Sequence, residues 1–354
     1  MMYWRDTRLP KVSVIIPSYN HALFIARAVD SVLSQTESDF ELIIVDDGST
    51  DASLSVLAGF TDLRMRVIKQ SNQGAPSAIN RGLQEASGPF IAILNSDDEY
   101  YPDRLEKLIA VLESDTKIGL AGSYIEVIDI HNKTLGVKHG YMDLEPWLLE
   151  EPKRSFRNGQ DLHAALLTEN YWATTSNYVF RRVRVERLGG FRNLRYAHDW
   201  DFGLRLARMG KLVLLPEPLL RYRIHSRNTI RENQAAMIFE ICWCLAVHLP
   251  ETIATDWFEE LPADRRVDQL LHSIYTFDLD RVLTVMLLQR LSERPDMALQ
   301  LLEPDDPCRH QYLEFIQNTL ARQSAQAIQP GRVIRQTRII LDWLRQLRRR
   351  DQSK

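Results

Sequence analysis

The chain has 354 residues and a formal net charge of -3, the composition of an ordinary globular protein without a basic field for nucleic acid. Its three cysteines, Cys242, Cys244 and Cys308, have neither the number nor the spacing of a disulfide framework or a zinc site. The N-terminus lacks the apolar stretch of a signal peptide, and Glu240 and His248 interrupt the apolar run "IFEICWCLAVHL". These observations predict a cytoplasmic protein that does not bind nucleic acid.

Short apolar runs alternate with helix-like stretches through residue 130. The apolar runs are "KVSVII", "FELIIV", "MRVIK" and "PFIAIL", and the stretches between them include "ALFIARAVDSVLSQ" and "GAPSAINRGLQEA". Near-continuous runs of Val, Ile and Leu are typical of strands that helices cover on both faces. The pattern predicts an α/β fold with a mostly parallel sheet, whose ligands bind outside the carboxyl ends of the strands.

Polar clusters follow three of these strands and should share one edge of the sheet. They are "PSYN" at 17–20, "DDGSTD" at 46–51 and "NSDD" at 95–98. Turn chemistry accounts for part of the second cluster, because Gly48 permits positive φ and Asp51 can cap a helix, but it does not require two adjacent acids. The chain has no G-x-G-x-x-G after the first strand and no G-x-x-x-x-G-K-[ST], so dinucleotide and P-loop interpretations lose their support.

The acids at these strand ends suggest a site for a nucleoside diphosphate. Asp97 and Asp98 can hold a hard divalent cation that binds the rest of its shell through phosphates. The alternative is a solvated loop with Asp103 near a helix N-terminus. Asp47 only accepts hydrogen bonds, which suits the N–H of uracil, thymine or guanine, and Tyr19 can pack against the same ring.

The chain beyond residue 130 is less regular. Residues 131–172 are predicted to form an excursion near the acceptor side, and we expect them to cover the cleft. Then come a strand ("NYVFR"), a helix ended by "GGF", the helix "HDWDFGLRLARMG" and the strand-like runs "KLVLL" and "LLRYRIH". The pattern is helical from about residue 230, which predicts domains at 1–228 and 229–354.

Two acids and one histidine in this second half are candidates for chemistry. Asp199 and Asp201 point differently on a helix, so we expect only Asp199 to face the cleft. The alternative is that Asp199 only caps its helix. His225 ends a strand and suits a place beside a metal diphosphate, although a lone histidine is more often structural. Arg221 and Arg223 face either phosphates or solvent.

The C-terminal segment 332–350 combines apolar residues at helical spacing with a cluster of arginines. A basic amphipathic helix of this kind can lie on an anionic membrane surface. The alternative is that its apolar stripe packs against the preceding helices. The first interpretation predicts peripheral contact with the inner face of the membrane.

Five segments of the chain, taken with their order and spacing, carry a family resemblance: "VSVIIPSYNHALFIARAVDSVLSQTESDFELIIVDDGSTD", "NQGAPSAINRGLQEASGPFIAILNSDDEYYPDRL", "FRRVRVERLGGF", "HDWDFGLRLARMG" and "RYRIH". Together they resemble an inverting glycosyltransferase of family 2, as found in bacterial surface-polysaccharide synthesis, over residues 10–228. The resemblance implies the GT-A fold, a Rossmann-like, mostly parallel mixed sheet flanked by helices. The C-terminal third resembles no family that we can name.

The resemblance also implies roles for individual residues. Nucleotide binding is implied for Pro17, Tyr19, Asp46, Asp47 and Asp97, metal binding for Asp97, Asp98 and His225, and base catalysis for Asp199. Two positions depart from the family pattern. Asn95 stands where many relatives have the first acid of an Asp-x-Asp motif, which would weaken metal binding, and His198 stands where a glutamate is common.

The implied reaction is metal-dependent transfer of a hexose-type sugar from a nucleoside-diphosphate sugar, with UDP or dTDP favoured and Mn²⁺ or Mg²⁺ as cofactor. The acceptor would be a hydroxyl of a glycan or lipid-linked molecule. A nucleotidyltransferase is the first rival, but it should have a glycine-rich basic loop near the first strand, and "PSYNHALF" has none. The second is a nucleotide-sugar-binding subunit without turnover, against which Asp199 argues weakly.

Overall fold

The computed structural model describes residues 9–140, 143–145, 166, 170–225, 228, 232–253, 284, 286–287 and 290–326. The chain divides into two compact units, Met1–Leu302 and Glu303–Lys354. The division by function at residue 228 stays a prediction. The second unit contains helix α9, Pro307–Gln326, whose first turn is capped by Asp306 through the N–H groups of Cys308 and Arg309.

The first unit is built on one large sheet. Its strands are β1 Val12–Ser18, β2 Phe40–Asp46, β3 Met65–Lys69, β4 Phe90–Ile93, β5 Glu99–Tyr100, β6 Ile118–Ile128, β7 Thr134–Gly140, β8 Asp143–Glu145, β9 Val179–Arg181 and β10 Lys211–Arg223. Its helices are α1 Ile25–Leu33, α2 Ser53–Leu57, α3 Ala75–Glu85, α4 Arg104–Ser114, α5 Arg182–Leu188, α6 His198–Ala207, α7 Gln234–Ile253 and α8 Met297–Gln300.

The strand order is β3-β2-β1-β4-β9-β6-β10-β5, with β7 and β8 added beside β6. The half from β3 to β4 is parallel, whereas β9 is antiparallel to both of its neighbours. The predicted α/β fold with a mixed, mostly parallel sheet is confirmed. The carboxyl ends of β1, β2 and β4 therefore lie at one edge, as the three polar clusters require.

Burial explains why these segments form strands and helices. Every residue of β1 is buried, and β2 is buried apart from half-exposed Glu41, because helices cover both faces of the sheet. Helix α1 buries Ile25, Ala28, Val29 and Val32, which have the spacing of one helical face. The core thus lies against the strands that carry the polar clusters at their ends.

The runs "KLVLL" and "LLRYRIH" form one strand, so the prediction of two separate strands is wrong. They are the two ends of β10, which pairs with β6 along its length. The pairing register shifts between Leu215 and Pro218 and again between Pro218 and Leu220. Because proline has no N–H to donate, Pro216 and Pro218 interrupt the hydrogen-bond ladder without ending the strand.

Part of the predicted excursion at 131–172 belongs to the sheet. Strands β7 and β8 form a hairpin on β6. Trp172 is fully buried, its indole N–H donates to the carbonyl of Asn177 at 3.0 Å, and its ring fills the space where a side chain on Gly122 would lie. Trp147 and the C-terminal segment 332–350 lie outside the described residues. No helix in the described part of the chain is both long and apolar enough to cross a membrane.

Candidate active site

The loops after β1 and β2 are joined by hydrogen bonds centred on Asn20. Its side-chain oxygen accepts from the N–H groups of Thr50 (2.8 Å) and Asp51 (3.2 Å), and its own N–H donates to the hydroxyl of Ser49 at 3.0 Å. Asn20 has a φ of 53° and Gly48 a φ of 79°, which lets both loops turn sharply. The motif "DDGSTD" therefore positions the neighbouring loop as well as forming its own turn.

The same contacts fix the backbone around His21. The N–H of His21 donates to the Ser53 hydroxyl at 3.1 Å, and the N–H of Ala22 donates to the Asp51 carboxylate at 3.0 Å. Asp51 also accepts from the N–H of Ser53, at the start of α2, at 2.9 Å. The N-cap of α2 is Ala52, so Asp51 does not occupy the capping position that the turn interpretation gave it. Its carboxylate binds the first residue of the helix and also holds the loop after β1.

Asp47 is buried against the loop that follows β3. Its carboxylate accepts from the side-chain amide of Gln70 (2.8 Å) and from the N–H groups of Gln73 (2.9 Å) and Gly74 (2.8 Å). A carboxylate has about four acceptor positions, so these contacts leave one for the N–H of a base. The role of Asp47 in reading the base stays a prediction.

The other predicted nucleotide residues lie around this carboxylate. Pro17 is buried within β1 beside Val45 of β2. Asp46 ends β2 and accepts from the N–H of Ser49 at 3.0 Å, while its second carboxylate oxygen is buried without a hydrogen-bond partner among the described residues. Tyr19 is 45% exposed at the edge of the sheet, and its packing against a base stays a prediction.

Three side chains converge on one point at the edge and form what we call the His–Asp cluster: His21, Asp97 and His225. One possible ligand atom from each lies within 4.8 Å of the others. Nε2 of His225 is 2.9 Å from Asp97 Oδ2, and Nδ1 of His21 is 2.7 Å from the hydroxyl of Ser96. The ring of Phe24 stacks on His225, with 5.0 Å between the ring centroids. Two imidazoles and a carboxylate are a chemically suitable set for a divalent transition metal.

Sequence reasoning missed His21, although a signal was present. The residue follows "PSYN" directly, so it lies on the edge to which the strand-end argument already pointed. The signal was weak because a histidine in a loop has no periodicity. The hydrogen bonds around Asn20 and His21 hold the loop that places the His21 ring near Asp97.

The two adjacent acids after β4 differ in ionisation. Burial opposes ionisation of Asp97, but the hydrogen bond from His225 and the charges of His21 and His225 hold the pKa of Asp97 below its ordinary value. Burial and then the charge of Asp97 raise the pKa of Asp98 well above its ordinary value. Asp97 therefore ionises more readily than Asp98, and it is the one that belongs to the His–Asp cluster.

Asp98 is fully buried and bound by protein groups. Its carboxylate accepts from the hydroxyl of Ser176 at 2.5 Å and from the N–H of Arg223 at 2.9 Å. Arg223 is itself buried, donates to the carbonyl of Asp97 at 2.8 Å and pairs with Glu99. Arg223 thus binds the backbone of Asp97, and Asp98 binds the backbone of Arg223, so both residues support the His–Asp cluster without belonging to it. Metal binding by Asp98 stays a prediction.

Two other polar residues near the acids also have protein partners. Arg221 forms an ion pair with Glu126 at 2.9 Å, which accounts for its charge without a phosphate. Asn95 donates to the hydroxyl of Thr174 and accepts from the hydroxyl of Thr175, both at 2.9 Å. The amide of Asn95 therefore has a structural use that an aspartate could not fill, because the carboxylate cannot donate.

Asp199 lies in the first turn of α6 and is 7% exposed. One carboxylate oxygen accepts from the side-chain amide of Asn170 at 3.0 Å and the other from the N–H of Trp200 at 2.7 Å. The hydroxyl of Tyr178 donates to the Asp199 carbonyl at 2.7 Å. The N-cap position is Ala197, so Asp199 does not occupy the capping position that the alternative interpretation gave it.

Asp201 has a different environment on the same helix. It is fully buried, pairs with Arg192 and Arg205 at 2.8 Å each, and lies 2.9 Å from Nε2 of His248. Burial opposes ionisation, but the hydrogen bond with His248 and the two arginines hold the pKa of Asp201 far below its ordinary value. Asp201 therefore belongs to a buried charge network, which we call the Asp201 network, and is not available to a substrate.

One short segment, residues 170–178, connects the two halves of the site. Asn170 donates to Asp199, Ser176 donates to Asp98, and the threonines between them bind Asn95. Ser176 lies in a short 3-10 helix, Thr175–Asn177. The segment links the candidate base on α6 to the acids after β4, and no periodic pattern in the sequence marks it.

Much of the chain that carries these residues is similar in sequence to known proteins. The model of glycosyl transferase family 2 matches residues 13–173. An uncharacterized glycosyltransferase of Nostoc sp. is 34% identical over 227 residues, which are 62% of this chain and 66% of that protein. An uncharacterized glycosyltransferase of Haemophilus influenzae is 31% identical over 62% of this chain and 67% of that protein. The chain thus spans about two thirds of the length of these relatives.

Two further proteins extend the comparison. Escherichia coli chondroitin synthase is 29% identical over 63% of this chain but only 30% of its own length. The mannosyltransferase PcManGT from Pyrobaculum calidifontis, solved in complex with GDP-Man and Mn²⁺, has a TM-score of 0.53 at 17% identity and covers 88% of this chain and 86% of its own. At that identity the structural likeness supports the GT-A fold alone. With a matching family model, a relative of 31% identity over two thirds of its length and the GT-A sheet, the chain belongs to glycosyl transferase family 2.

Proposed function

We propose that the protein transfers a sugar from a nucleoside-diphosphate sugar to an acceptor hydroxyl, with inversion at the anomeric carbon. The observation that carries this proposal is that residues 170–178 bind both Asp199 and Asp98, the residue next to Asp97 of the His–Asp cluster. Such an arrangement provides a place for a diphosphate and a separate, carboxylate base for the acceptor.

Asp199 suits the role of base because its carboxylate is held in place and forms no ion pair with the residues that the structure describes. Donors from Asn170 and Trp200 occupy one position on each oxygen, which leaves acceptor capacity for a hydroxyl. As the acceptor oxygen attacks the anomeric carbon, Asp199 takes its proton and the bond from that carbon to the diphosphate breaks. Because attack comes from the face opposite the departing group, a single displacement inverts the configuration.

The donor set of the His–Asp cluster fits a divalent cation. His21, Asp97 and His225 would hold it, and when bound it would neutralise negative charge on the departing diphosphate. Two imidazole ligands favour Mn²⁺ over Mg²⁺, since Mg²⁺ prefers oxygen ligands and retains several waters. Ser96 supports this arrangement, because its contact with Nδ1 of His21 fixes the orientation of that ring.

The classes of donor and acceptor are proposed from the contacts of Asp47 and from the similar proteins. UDP- and dTDP-sugars suit the single free acceptor position on Asp47, which would bind the imide N–H of either base, whereas the structurally similar PcManGT was solved with GDP-Man. A glycan acceptor is supported by the relationship to chondroitin synthase. We therefore propose a role in cell-envelope or surface polysaccharide synthesis, with a glycan or lipid-linked acceptor and contact with the inner membrane face through residues 332–350.

A donor screen tests this function directly. Purified protein with Mn²⁺ or Mg²⁺ would be incubated with UDP-, dTDP- and GDP-sugars and a panel of saccharide acceptors, and the released nucleoside diphosphate measured. We expect turnover with at least one donor, and its reduction by roughly two to four orders of magnitude in Asp199→Asn, which retains shape but cannot take a proton. Nucleotide binding by calorimetry should be nearly unchanged in this variant.

The outcomes separate the proposed transferase from its rivals. Nucleotide binding without turnover for any donor would favour the binding subunit. Release of pyrophosphate from a nucleoside triphosphate would favour the nucleotidyltransferase. Turnover in Asp199→Asn equal to that of the unaltered protein would remove Asp199 as the base.

A further inference from the structure

Helix α7 provides a buried carboxylate that binds the backbone just before α6. Glu240 is 1% exposed. One of its oxygens accepts from the N–H of Arg195 at 3.0 Å, and the other accepts from the N–H groups of Tyr196 (2.6 Å) and Ala197 (3.2 Å). Three consecutive amides thus point at one buried carboxylate. Hydrogen bonds to an ionised acceptor are about twice as strong as those between neutral groups.

These three residues lead directly into the helix that carries the candidate base. Helix α6 begins at His198, so Asp199 is its second residue. Ala197, at the N-cap, has no side-chain oxygen with which to hold the helix start. Glu240, 43 residues further along the chain than Ala197, binds the N–H of Ala197 and thus holds the chain at the point where it enters the helix.

A second contact from α7 lies on the other side of Asp199. His248, about two helical turns beyond Glu240, meets Asp201 at 2.9 Å. Helix α7 therefore contacts the chain before Asp199 through Glu240 and after it through His248. A base must lie within a few tenths of an ångström of its productive position, and a displacement of about 1 Å can reduce the rate by about 100-fold.

We propose that Glu240 is a positioning residue for Asp199. By binding the N–H groups of residues 195–197, it sets where α6 begins and therefore where the Asp199 carboxylate lies relative to the donor site. This role rests on the proposed function, because it presupposes that Asp199 takes the acceptor proton. It gives the helical region beyond residue 228 a part in the reaction, although no residue of α7 need touch a substrate.

The chain contains a matched control for this proposal. Glu232 also binds Arg195, but through the guanidinium at the surface, at 2.6 Å, with both side chains about half exposed. Glu232→Gln removes a surface ion pair, whereas Glu240→Gln replaces a buried carboxylate oxygen with an NH₂ group that must face one or more of the backbone N–H donors. Both variants remove one negative charge next to the same residue.

The experiment compares Glu240→Gln and Glu240→Asp with Glu232→Gln in the full chain. For Glu240→Gln we expect kcat to fall by roughly 10- to 100-fold, with the KM for the donor sugar within about threefold of the unaltered protein. Glu240→Asp keeps the charge but is one methylene shorter, so its loss of kcat should be smaller. Glu232→Gln should keep kcat within about twofold.

Hydrogen exchange provides a readout that does not depend on turnover. Amide protons of residues 195–197 should exchange faster in Glu240→Gln, while the strands of the parallel half of the sheet keep their protection. Folded Glu240→Gln with an unchanged kcat would overturn the proposal, as would unchanged exchange at these amides. If Glu240→Gln does not fold, an unchanged kcat in Glu240→Asp together with faster exchange of the amides of residues 195–197 would overturn it equally.

The same series separates this inference from the proposed function. If the unaltered protein turns over no donor, the transferase proposal fails, and hydrogen exchange still tells whether Glu240 holds the backbone. If the unaltered protein turns over and Asp199→Asn does not, while Glu240→Gln matches the unaltered protein in kcat, only the positioning role is lost.

Discussion

At the scale of single residues, the proposed metal site consists of the three side chains of the His–Asp cluster. His21 and His225 approach Asp97 from two loops that are far apart in the sequence, and their rings lie 5.8 Å apart at nearly right angles. Because Asp98 is engaged by Ser176 and the Arg223 backbone, the cluster has one strong oxygen donor from the protein. Its preference among metals should therefore depend on the imidazoles.

We expect His21→Gln to weaken Mn²⁺-dependent nucleotide binding by at least about tenfold and Mg²⁺-dependent binding by less, because only the softer ion gains much from an imidazole nitrogen. Titration calorimetry with UDP and GDP, in Mn²⁺ and then in Mg²⁺, measures both. The exposed His131 provides the control, as His131→Gln should change neither affinity. Equal affinity of His21→Gln and the unaltered protein for Mn²⁺-nucleotide would exclude His21 from the metal site.

Replacement of Asp97 and Asp98 together by alanine should abolish the metal dependence of nucleotide binding. The double change removes the ionised oxygen donor of the cluster and the buried acid that anchors Arg223 to it. The same calorimetry with Mn²⁺ applies. A double variant that binds UDP as tightly with Mn²⁺ as the unaltered protein would move the metal to another place.

The site residues that the sequence predicted differ from those that it missed in what determines their positions. Asp97 and Asp199 stand next to periodic apolar segments, so their positions at a strand end and in a first helical turn follow from the pattern. His21 and Asn170 lie in loops, and what brings them to these acids is hydrogen bonding between segments distant in sequence. Such contacts leave no periodic pattern of apolar residues from which they could be predicted.

At the scale of elements, residues 170–178 connect Asp199 on α6 with the acids after β4. The segment is fixed at one end by Asn170 and Tyr178 on Asp199, and in the middle by Ser176 on Asp98. Arg104 supports it from α4, donating to the carbonyl of Ser176 at 3.2 Å. The apolar pattern of the sequence does not predict the conformation of this segment, because side-chain hydrogen bonds fix it.

We expect Asn170→Ala to lower kcat by roughly tenfold while the KM for the donor changes little. The change removes one of two donors that orient the Asp199 carboxylate, without touching the His–Asp cluster. Steady-state kinetics with a fixed acceptor measures the split between kcat and KM. Asn193→Ala, at an exposed position before α6, is the control, and a kcat for Asn170→Ala equal to that of Asn193→Ala would refute the role.

At the scale of the whole molecule, the Asp201 network predicts how stability depends on pH. The pKa of Asp201 lies below its ordinary value in the folded protein, so its contribution is present above about pH 4 and is lost as pH falls further. Burial lowers the pKa of His248 more than its contact with Asp201 raises it. The unfolded chain therefore binds a proton at His248 before the folded protein does, and stability falls as pH drops below about 6.5.

The measurement is the melting temperature between pH 7.5 and pH 5. We expect it to decrease as pH falls, and the decrease to be smaller in His248→Gln because that variant has no imidazole to protonate. His131→Gln should follow the unaltered protein. A His248→Gln variant with the same pH dependence as the unaltered protein would show that His248 does not contribute to it.

The predicted membrane contact is also a property of the whole chain, and its residues lie outside the described part. A chain ending at Pro330 should lose sedimentation with anionic vesicles at low salt, because it lacks the arginines of residues 332–350. High salt should release the full chain as well, since screening weakens charge attraction. Equal sedimentation of both chains, or none for either, would leave the segment without a membrane role.

Helix α7 contacts α6 through His248 and the residues just before α6 through Glu240. These two contacts limit where this protein can be joined to a relative in a hybrid enzyme. The residues that carry the family resemblance end near 228, so a hybrid enzyme joined there would take α6 from one parent and α7 from the other. Asp201 would then face a foreign residue in place of His248, and the amides of residues 195–197 would meet whatever side chain replaced Glu240. A working exchange of acceptor specificity between family members should therefore use a crossover after residue 253, so that both helices are inherited together.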